Sequence, residues 1–486
     1  MQQFTELMTM GSSGIYGTPL YTSASSLFYF MLFGVFFSEC GGGQLLIDLG
    51  MKVSKNGAGG PAKAAVISSG LMGMISGSAV ANVATTGVMT IPMMKKIGYE
   101  PHQAGAVSYT HLDVYKRQAL DHIKEIAGTC AGKAVVFSDK GIMAAGLLEK
   151  PLSLLKEAGV GYSVLDGLPA EPDCDEAQKV IDAFKAEKAG LIIAVGGGSV
   201  MDIAKLASVL ATDAYTVRDL LDDPCLAKKC VPTLMIPTTA GTGSEATPNS
   251  IVAVPEKELK VGIVNDAMIA DYVILDGEMI KNLPRKIAAA TGVDALAHAI
   301  ECYTSNKANP FSDTFALEAL DLILTNIERA CDDPDALDAK NAMLIAAFYA
   351  GAAITASGTT AVHALSYPLG GKYHIPHGVS NAMLLVPVMK FNEPACRDRF
   401  AAAYDRIAGG KGMPQRTPEE KSAWIIRRLD EIVTHLEIPS SLREYGVGDQ
   451  DLDALVEAGM DVKRLLVNNM REVTPEDARK LYMEIM

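Results

Sequence analysis

Four residues in the second half of the chain have the types and spacing of a metal site. Asp294 and His298 lie four residues apart in the helix-favouring stretch GVDALAHAIE, so their side chains share one helical face. His363 and His377 lie near the two ends of HALSYPLGGKYHIPHG, whose prolines and glycines predict a helix end, a turn and a loop that returns His377 to His363. One carboxylate and three imidazoles suit a first-row divalent cation, Fe(II) or Zn(II), better than Ca(II) or Mg(II).

The alternative to a metal site is a hydrogen bond on one helix face together with unrelated core histidines. The whole chain has eight histidines, and four of them fall at positions 298, 363, 374 and 377. This concentration of imidazoles favours the metal site over scattered core residues.

The same two motifs resemble those of a known family. The pattern G-x-D-A-x-x-H-A-x-E is complete at 292–301, and H-x4-P-L-G-x5-P-H-G is complete at 363–378. From about residue 119 onwards, the chain therefore resembles the iron-containing (group III) alcohol dehydrogenases. This resemblance implies a dehydroquinate-synthase-like fold, a homo-oligomer, and hydride transfer between NAD(P) and a small alcohol or aldehyde. It also implies a set of four metal ligands, namely Asp294, His298, His363 and His377.

One position departs from the family pattern. Many members have a histidine with a proton-relay role four residues after the third ligand, whereas this chain has Tyr367. We expect the proton to leave through water or a hydroxyl group, with His374 and Tyr367 as the candidate catalytic residues. For His374, an extra metal ligand and a surface loop residue are the alternatives.

Downstream of residue 118, apolar strands alternate with helices. The strand-favouring runs are KAVVFSD, GYSVLDG, GLIIAVGGGS, VPTLMIPTTAGTGSE and YVILD, and their continuous apolar character is typical of buried parallel strands. We predict an α/β nucleotide-binding domain at 119–283 and an all-helical metal-binding domain at 284–486. The family has a further strand before ALDHIKEIAG, which we expect beside KAVVFSD. Its absence here predicts an uncovered sheet edge or face and impaired folding.

Two loops rich in glycine and hydroxyl groups follow buried strands. GGGS at 196–199 precedes a helix whose N-terminal N–H groups and dipole suit a pyrophosphate, and TTAGTGS at 238–244 repeats this design. A glycine turn alone is weak evidence, but its position after a strand strengthens it. In the resembled family these loops hold NAD(P), which implies cofactor-binding roles for Gly197, Gly198, Ser199, Asp202, Thr238, Thr239, Thr242 and Lys260. On spacing alone, Lys260 would be an exposed strand residue.

The choice between NAD and NADP depends on Asp139, which ends the KAVVFSD strand. A carboxylate there accepts hydrogen bonds from the 2′-hydroxyl of NAD and repels the 2′-phosphate of NADP. We therefore expect NAD as the cofactor. The alternative is that Asp139 only caps the helix that starts near Gly141.

The segment VSYTHLDVYKRQ, at 107–118, does not resemble natural protein sequence. Its twelve residues back-translate to an inverted DNA repeat that matches two transposase sequencing adapters joined head to head. An ordinary polar linker is the alternative. We interpret the segment as an artefactual junction, so that function must be inferred separately on each side of it.

Residues 1–106 are apolar and rich in small residues, unlike the remainder. The stretch Ala64–Met93 is uncharged throughout and long enough to cross about 30 Å of hydrocarbon, whereas a buried soluble helix is the weaker alternative. Residues 59–101 resemble the large permease subunit of TRAP-type transporters. A fragment this short cannot build a transport path, so we expect membrane insertion but no transport.

Composition excludes one function class and indicates a compartment. A net charge of −14 argues against a nucleic-acid-binding surface. Eight cysteines without a CxxC pair predict free thiols and a cytoplasmic location for 119–486. The leading hypothesis is a metal-dependent alcohol dehydrogenase or aldehyde reductase. The alternatives are a glycerol-dehydrogenase-like enzyme and a membrane transporter component.

Overall fold

A computed structural model describes residues 119–486, apart from 131, 169–171, 258 and 409–415. The predicted membrane fragment and the adapter-like segment lie outside these described residues. Because the two sides of the junction are interpreted as unrelated, we also expect no packed interface between residues 1–106 and the remainder, and this expectation concerns residues outside the described part.

The first half of the described chain forms a five-stranded parallel sheet with helices on its faces. The strand order is β2-β1-β3-β4-β7, and a separate antiparallel hairpin pairs β5 with β6. The strands are β1 (Ala134–Phe137), β2 (Tyr162–Leu165), β3 (Leu191–Gly196), β4 (Thr233–Pro237), β5 (Asn249–Val254), β6 (Leu259–Val264) and β7 (Tyr272–Val273). The helices are α1 (His122–Thr129), α2 (Lys140–Ala144), α3 (Glu149–Glu157), α4 (Cys174–Glu187), α5 (Gly198–Leu210) and α6 (Val217–Asp222).

The central strands β1, β3 and β4 are buried along their whole length, as their apolar runs predict. Two apolar clusters cover the two faces of the sheet, one containing Val135 and Ile192, the other Val136 and Ile193. Since neighbouring residues of a strand point to opposite faces, this alternation buries every side chain of β1 and β3.

The expected place of the missing strand beside β1 is wrong. Strand β1 pairs with β2 along one edge and with β3 along the other, from Ala134 to Phe137. No edge of β1 is left for a further strand, because the crossover through α2 and α3 returns the chain to its outer side. The two edge strands of the described sheet are β2 and β7.

The second half of the described chain is helical from Arg285 onwards, with Pro284 as the N-cap of its first helix. The division into domains at 283/284 stays a prediction. Its helices are α7 (Arg285–Tyr303), α8 (Pro310–Asp332), α9 (Leu337–Ser357), α10 (Ala361–Tyr373), α11 (His377–Ala408), α12 (Pro418–His435), α13 (Leu452–Asp461), α14 (Lys463–Leu466) and α15 (Pro475–Glu484). By length and composition α9 could cross a membrane, with a mean hydropathy of 1.2. It contributes a row of buried residues to the helical core, which accounts for its apolar character.

The predicted break after His363 comes later than expected. Helix α10 continues through Pro368 to Tyr373, and only three residues separate it from α11. Pro368 removes one backbone donor to the carbonyl of Ala364 without ending the helix. The helix ends at His374, whose φ of 55° is left-handed, so the turn is tighter than the proline and glycine content predicts.

The loop after β4 joins the two halves. Gly243 has a φ of 59°, and a Cβ there would lie 2.5 Å from the Ala347 carbonyl oxygen of α9. A Cβ at Gly351 of α9 would in turn overlap the Gly243 backbone. This close approach requires glycine on both sides, and it places the TTAGTGS loop directly against the helical half.

Candidate metal centre and nucleotide loops

Three helices bring the four predicted metal ligands together. Asp294 and His298 lie one turn apart on α7, His363 lies in the first turn of α10, and His377 begins α11. Each offers one ligand atom, and these atoms all lie within 4.8 Å of one another. The Asp294, His298 and His363 residues are 2%, 6% and 2% exposed, while His377 is half-buried. The site is therefore closed to solvent at the three buried residues and open at His377.

The glycine of the P-H-G motif explains how His377 reaches α7. A Cβ at Gly378 would overlap the carbonyl oxygen of Ala290, one turn before Asp294. Without a side chain, the start of α11 can lie directly on the α7 backbone. The motif therefore places the fourth imidazole beside the carboxylate.

A buried carboxylate on α7, Glu301, orients His363. One carboxylate oxygen, Oε2, accepts a hydrogen bond from His363 Nδ1. The other, Oε1, accepts from Thr360 N at 3.2 Å, Thr360 Oγ1 at 2.7 Å and Val362 N at 2.7 Å. Glu301 thereby caps the N-terminus of α10 and fixes the His363 tautomer whose Nε2 faces the other ligands. Sequence reasoning missed this role, although the i, i+3 spacing from His298 places Glu301 on the same helical face.

Asn381, one turn after His377, is a second residue of the site that the sequence reasoning did not predict. Its Nδ2 donates to Asp294 Oδ1 at 2.7 Å and lies 3.2 Å from both His363 Nε2 and His377 Nε2. This amide holds the carboxylate from the α11 side. The i, i+4 spacing from His377 was the available signal in the sequence.

The electrostatics of the cluster suit a divalent cation. Burial alone would raise the pKa of Asp294, but the imidazoles of His298, His377 and His363 outweigh it and hold that pKa well below its usual range. Burial lowers the pKa of His298 to about 4, which keeps this imidazole neutral with a free lone pair. Burial likewise opposes protonation of His363, but the carboxylates of Glu301 and Asp294 raise its pKa to about 9. Concentrated carboxylate charge with nitrogen donors fits a first-row metal.

The structure separates the two candidate proton-relay residues. The Tyr367 ring lies 6.5 Å from the His363 ring and 6.0 Å from the His377 ring, between centroids. His374 is exposed at the end of α10 and makes no ring contact with these residues in the described part of the chain. Tyr367 lies beside the candidate metal ligands and His374 does not, and the catalytic roles of both residues stay predictions.

The two glycine-rich loops touch each other at the carboxyl edge of the sheet. A Cβ at Gly198 would lie 2.9 Å from Thr242 Oγ1, and one at Gly197 would lie 3.5 Å from Thr239 Oγ1. Gly197 is the N-cap of α5, so the helix N-terminus opens at this junction. The Thr238 hydroxyl is buried and has no hydrogen-bond partner within the described residues. An unpartnered hydroxyl beside a glycine-lined helix N-terminus fits a polar ligand such as a nucleotide.

Asp202 holds the loops in place. Its Oδ2 accepts from Ile251 N at 2.9 Å, and its Oδ1 accepts from Ser244 Oγ and from the buried Lys205 Nζ at 3.3 Å. The Lys205 ammonium also donates to Ser244 Oγ at 2.6 Å and Thr247 Oγ1 at 3.1 Å. Both carboxylate oxygens are thus engaged by the protein, and direct contact of Asp202 with a cofactor stays a prediction.

The other predicted cofactor residues are placed as follows. Asp139 caps α2 by accepting from Ile142 N at 2.9 Å, so the capping alternative is observed, and its ribose role stays a prediction. Ser199 lies in the first turn of α5. The backbone of Lys260 pairs with Ala253 in the β5–β6 hairpin, and its side chain lies outside the described part.

Comparison with known proteins decides the family. The model "Iron-containing alcohol dehydrogenase" matches residues 113–277, and "Fe-containing alcohol dehydrogenase family, C-terminal" matches 288–486. Long-chain-alcohol dehydrogenase 1 of Geobacillus thermodenitrificans is 34% identical over 368 residues, which are 75% of this chain and 92% of that protein. The chain belongs to the iron-containing alcohol dehydrogenase family. Membership confirms the predicted reaction class and implies a metal and a nicotinamide cofactor.

Other relatives of this dehydrogenase agree. The sulfoacetaldehyde reductase of Bilophila wadsworthia is 33% identical over 361 residues, covering 73% of this chain and 91% of that protein. The solved structure of an alcohol dehydrogenase from Oenococcus oeni matches with a TM-score of 0.70 and 30% identity, covering 76% of this chain and 96% of that one. The predicted α/β and helical halves are confirmed by this likeness.

The N-terminal part matches the model of a different family. Residues 3–111 match the DctM component of tripartite ATP-independent periplasmic transporters. This match ends two residues before the dehydrogenase match begins. The predicted resemblance to a TRAP-type permease is confirmed, and the two unrelated matches are consistent with a chimera. The origin of residues 107–118 in a sequencing adapter stays a prediction.

Proposed function

We propose that Asp294, His298, His363 and His377 hold Fe(II) and that the dehydrogenase uses NAD to interconvert small alcohols and aldehydes. The convergence of these four side chains from three helices is the observation that carries the proposal. The iron-containing family supports Fe(II), and the same donors would accept Zn(II). The names of the relatives, a long-chain-alcohol dehydrogenase and a sulfoacetaldehyde reductase, support an alcohol or aldehyde as the substrate but do not restrict its size.

When bound, the metal supplies a Lewis acid that polarises the substrate oxygen. The protein positions the substrate and the cofactor and provides the group that transfers the proton to the substrate oxygen. The open side of the site at His377 admits the substrate, and the loops around Gly198 and Thr242 orient the nicotinamide. Burial raises the pKa of Tyr367, so its hydroxyl stays protonated and can pass a proton to the oxygen of the reduced aldehyde.

The test is NADH oxidation by the full chain, purified in mild detergent because residues 3–111 match a transporter component. We expect turnover of straight-chain aldehydes that depends on added Fe(II) and is abolished by a chelator. Turnover that persists in a metal-free preparation would contradict the proposal.

The transporter alternative rests on the match of residues 3–111. A chain of residues 119–486 that is soluble without detergent and still oxidises NADH would assign the activity to the dehydrogenase part alone. We place that part in the cytoplasm as a homo-oligomer and residues 1–106 in the membrane.

The preference for NAD gives a separate prediction. Asp139 lies at the carboxyl end of β1, where its charge would repel a 2′-phosphate. Asp139→Gly should raise the ratio of kcat/KM for NADPH to that for NADH at least tenfold, about 1.4 kcal/mol of lost discrimination. Asp139→Asn, which can still cap α2, separates charge from capping. An unchanged ratio in both variants would leave Asp139 as a cap only.

A further inference from the structure

An arginine lies beside the tyrosine that borders the metal ligands. The Arg464 Cζ atom lies 5.9 Å from the centroid of the Tyr367 ring, within the range of a cation–π contact. Arg464 belongs to the short helix α14, which packs against α10, the helix that carries both Tyr367 and His363. The ring of Tyr367 therefore lies close both to the guanidinium and to two of the candidate metal ligands.

The charge of Arg464 has no carboxylate partner. Several exposed arginines of the helical half pair with acidic side chains, for example Arg443 with Asp449 at 2.9 Å and Arg479 with Asp453. No ion pair joins Arg464 to a carboxylate within the residues that the structure describes. An exposed guanidinium held at the edge of a catalytic centre can therefore bind an anion from solution.

Tyr367 lies beside the one candidate ligand that is partly exposed. Three of the four ligands are buried, and the half-buried His377 marks the open side, with the Tyr367 ring 6.0 Å from the His377 ring. A substrate that enters beside His377 and extends past the Tyr367 ring would bring its far end towards Arg464.

We propose that Arg464 binds an anionic group, a carboxylate or a sulfonate, at the far end of the aldehyde or alcohol substrate. The planar guanidinium offers paired N–H donors that match the oxygens of both groups. A neutral alkyl chain would gain nothing from this charge. The inference rests on the proposed function and specifies its substrate class.

The experiment compares aldehydes that share a shape and differ in charge. The full chain, in mild detergent with Fe(II) and NADH, is assayed with 4-oxobutanoate against 4-methylpentanal, and with 2-oxoethanesulfonate against 3,3-dimethylbutanal. The wild type should favour the anionic member of at least one pair by tenfold or more in kcat/KM. The pair with the larger preference identifies the anionic group as carboxylate or sulfonate.

Variants then assign the preference to Arg464. Arg464→Gln should lower kcat/KM for the anionic aldehyde tenfold or more and change that for its neutral partner less than twofold. Arg464→Lys, which keeps the positive charge but lacks the paired N–H donors of the guanidinium, should give an intermediate kcat/KM for the anionic aldehyde. Lys463→Gln removes a neighbouring exposed positive charge and should change either value less than twofold.

Three outcomes would overturn the inference. Equal effects of Arg464→Gln on the charged and neutral aldehydes would make the arginine structural. Equal effects of Lys463→Gln and Arg464→Gln would indicate only long-range attraction. Turnover of neutral aldehydes with no anionic preference refutes this inference alone, whereas no turnover of any aldehyde refutes the proposed function with it.

Discussion

His363→Ala should abolish metal binding and lower kcat/KM by about a thousandfold or more, while leaving NADH affinity within about threefold of the wild type. His363 lies in the first turn of α10 and is the only one of the four candidate ligands that its helix contributes. Its loss leaves Asp294, His298 and His377, a three-donor set with a gap on the buried side. The glycine-rich loops around Gly198 and Thr242 belong to the α/β half, whereas α10 belongs to the helical half, so cofactor binding should persist.

Metal content by elemental analysis and NADH affinity by fluorescence titration check this result. His435→Ala is the matched control, because it removes an exposed histidine that pairs with Asp332 on a different helix. It should leave metal content and activity near the wild-type values. A His363→Ala protein that keeps stoichiometric metal would contradict the assignment, and loss of both metal and NADH binding would indicate unfolding. His363→Gln, closer in volume, then distinguishes the two causes.

The sequence predicted the parts of the site that depend on local geometry. The i, i+4 spacing of Asp294 and His298 fixes one helical face, and the apolar runs before GGGS and TTAGTGS predict buried strands that end at one edge. Pro284 also predicts the start of the helical half, because proline is compatible with the start of a helix. Each of these features depends only on residues that are close together in the sequence.

The missed features depend on contacts between distant elements. Asn381 reaches Asp294 only because Gly378 lets α11 lie on α7. The sequence pattern of α11 alone does not predict this contact between the two helices. Helix α10 continues through Pro368 because Leu365 and Leu369 on either side of it pack in the helical core, so a local rule predicted the helix end too early. The double pairing of β1 likewise follows from topology, which strand propensity does not contain.

Glu301→Gln should weaken metal affinity about 10- to 100-fold, although residue 301 is not a ligand. In the wild type, Glu301 Oε2 accepts from His363 Nδ1, and Oε1 accepts from three donors of Thr360 and Val362. A carboxylate can accept on both oxygens, but an amide must present N–H groups on one side. If that side faces His363, the imidazole must carry its proton on Nε2, where the metal should bind. If it faces α10, donors meet donors at the helix N-terminus.

The measurement is a competitive titration of Co(II), whose visible spectrum reports the ligand set, together with the NADH affinity and the melting temperature. A positioning role predicts weaker Co(II) binding, unchanged NADH affinity and recovery of much of the activity at saturating metal. Glu245→Gln is the control, since it makes the same change at another buried glutamate, in the α/β half, and should leave Co(II) affinity unchanged. If Glu301→Gln lowered only the melting temperature, Glu301 would be a helix cap and nothing more. Glu301→Asp keeps the acceptor chemistry but shortens the reach, so we expect its metal affinity to lie between those of the wild type and Glu301→Gln.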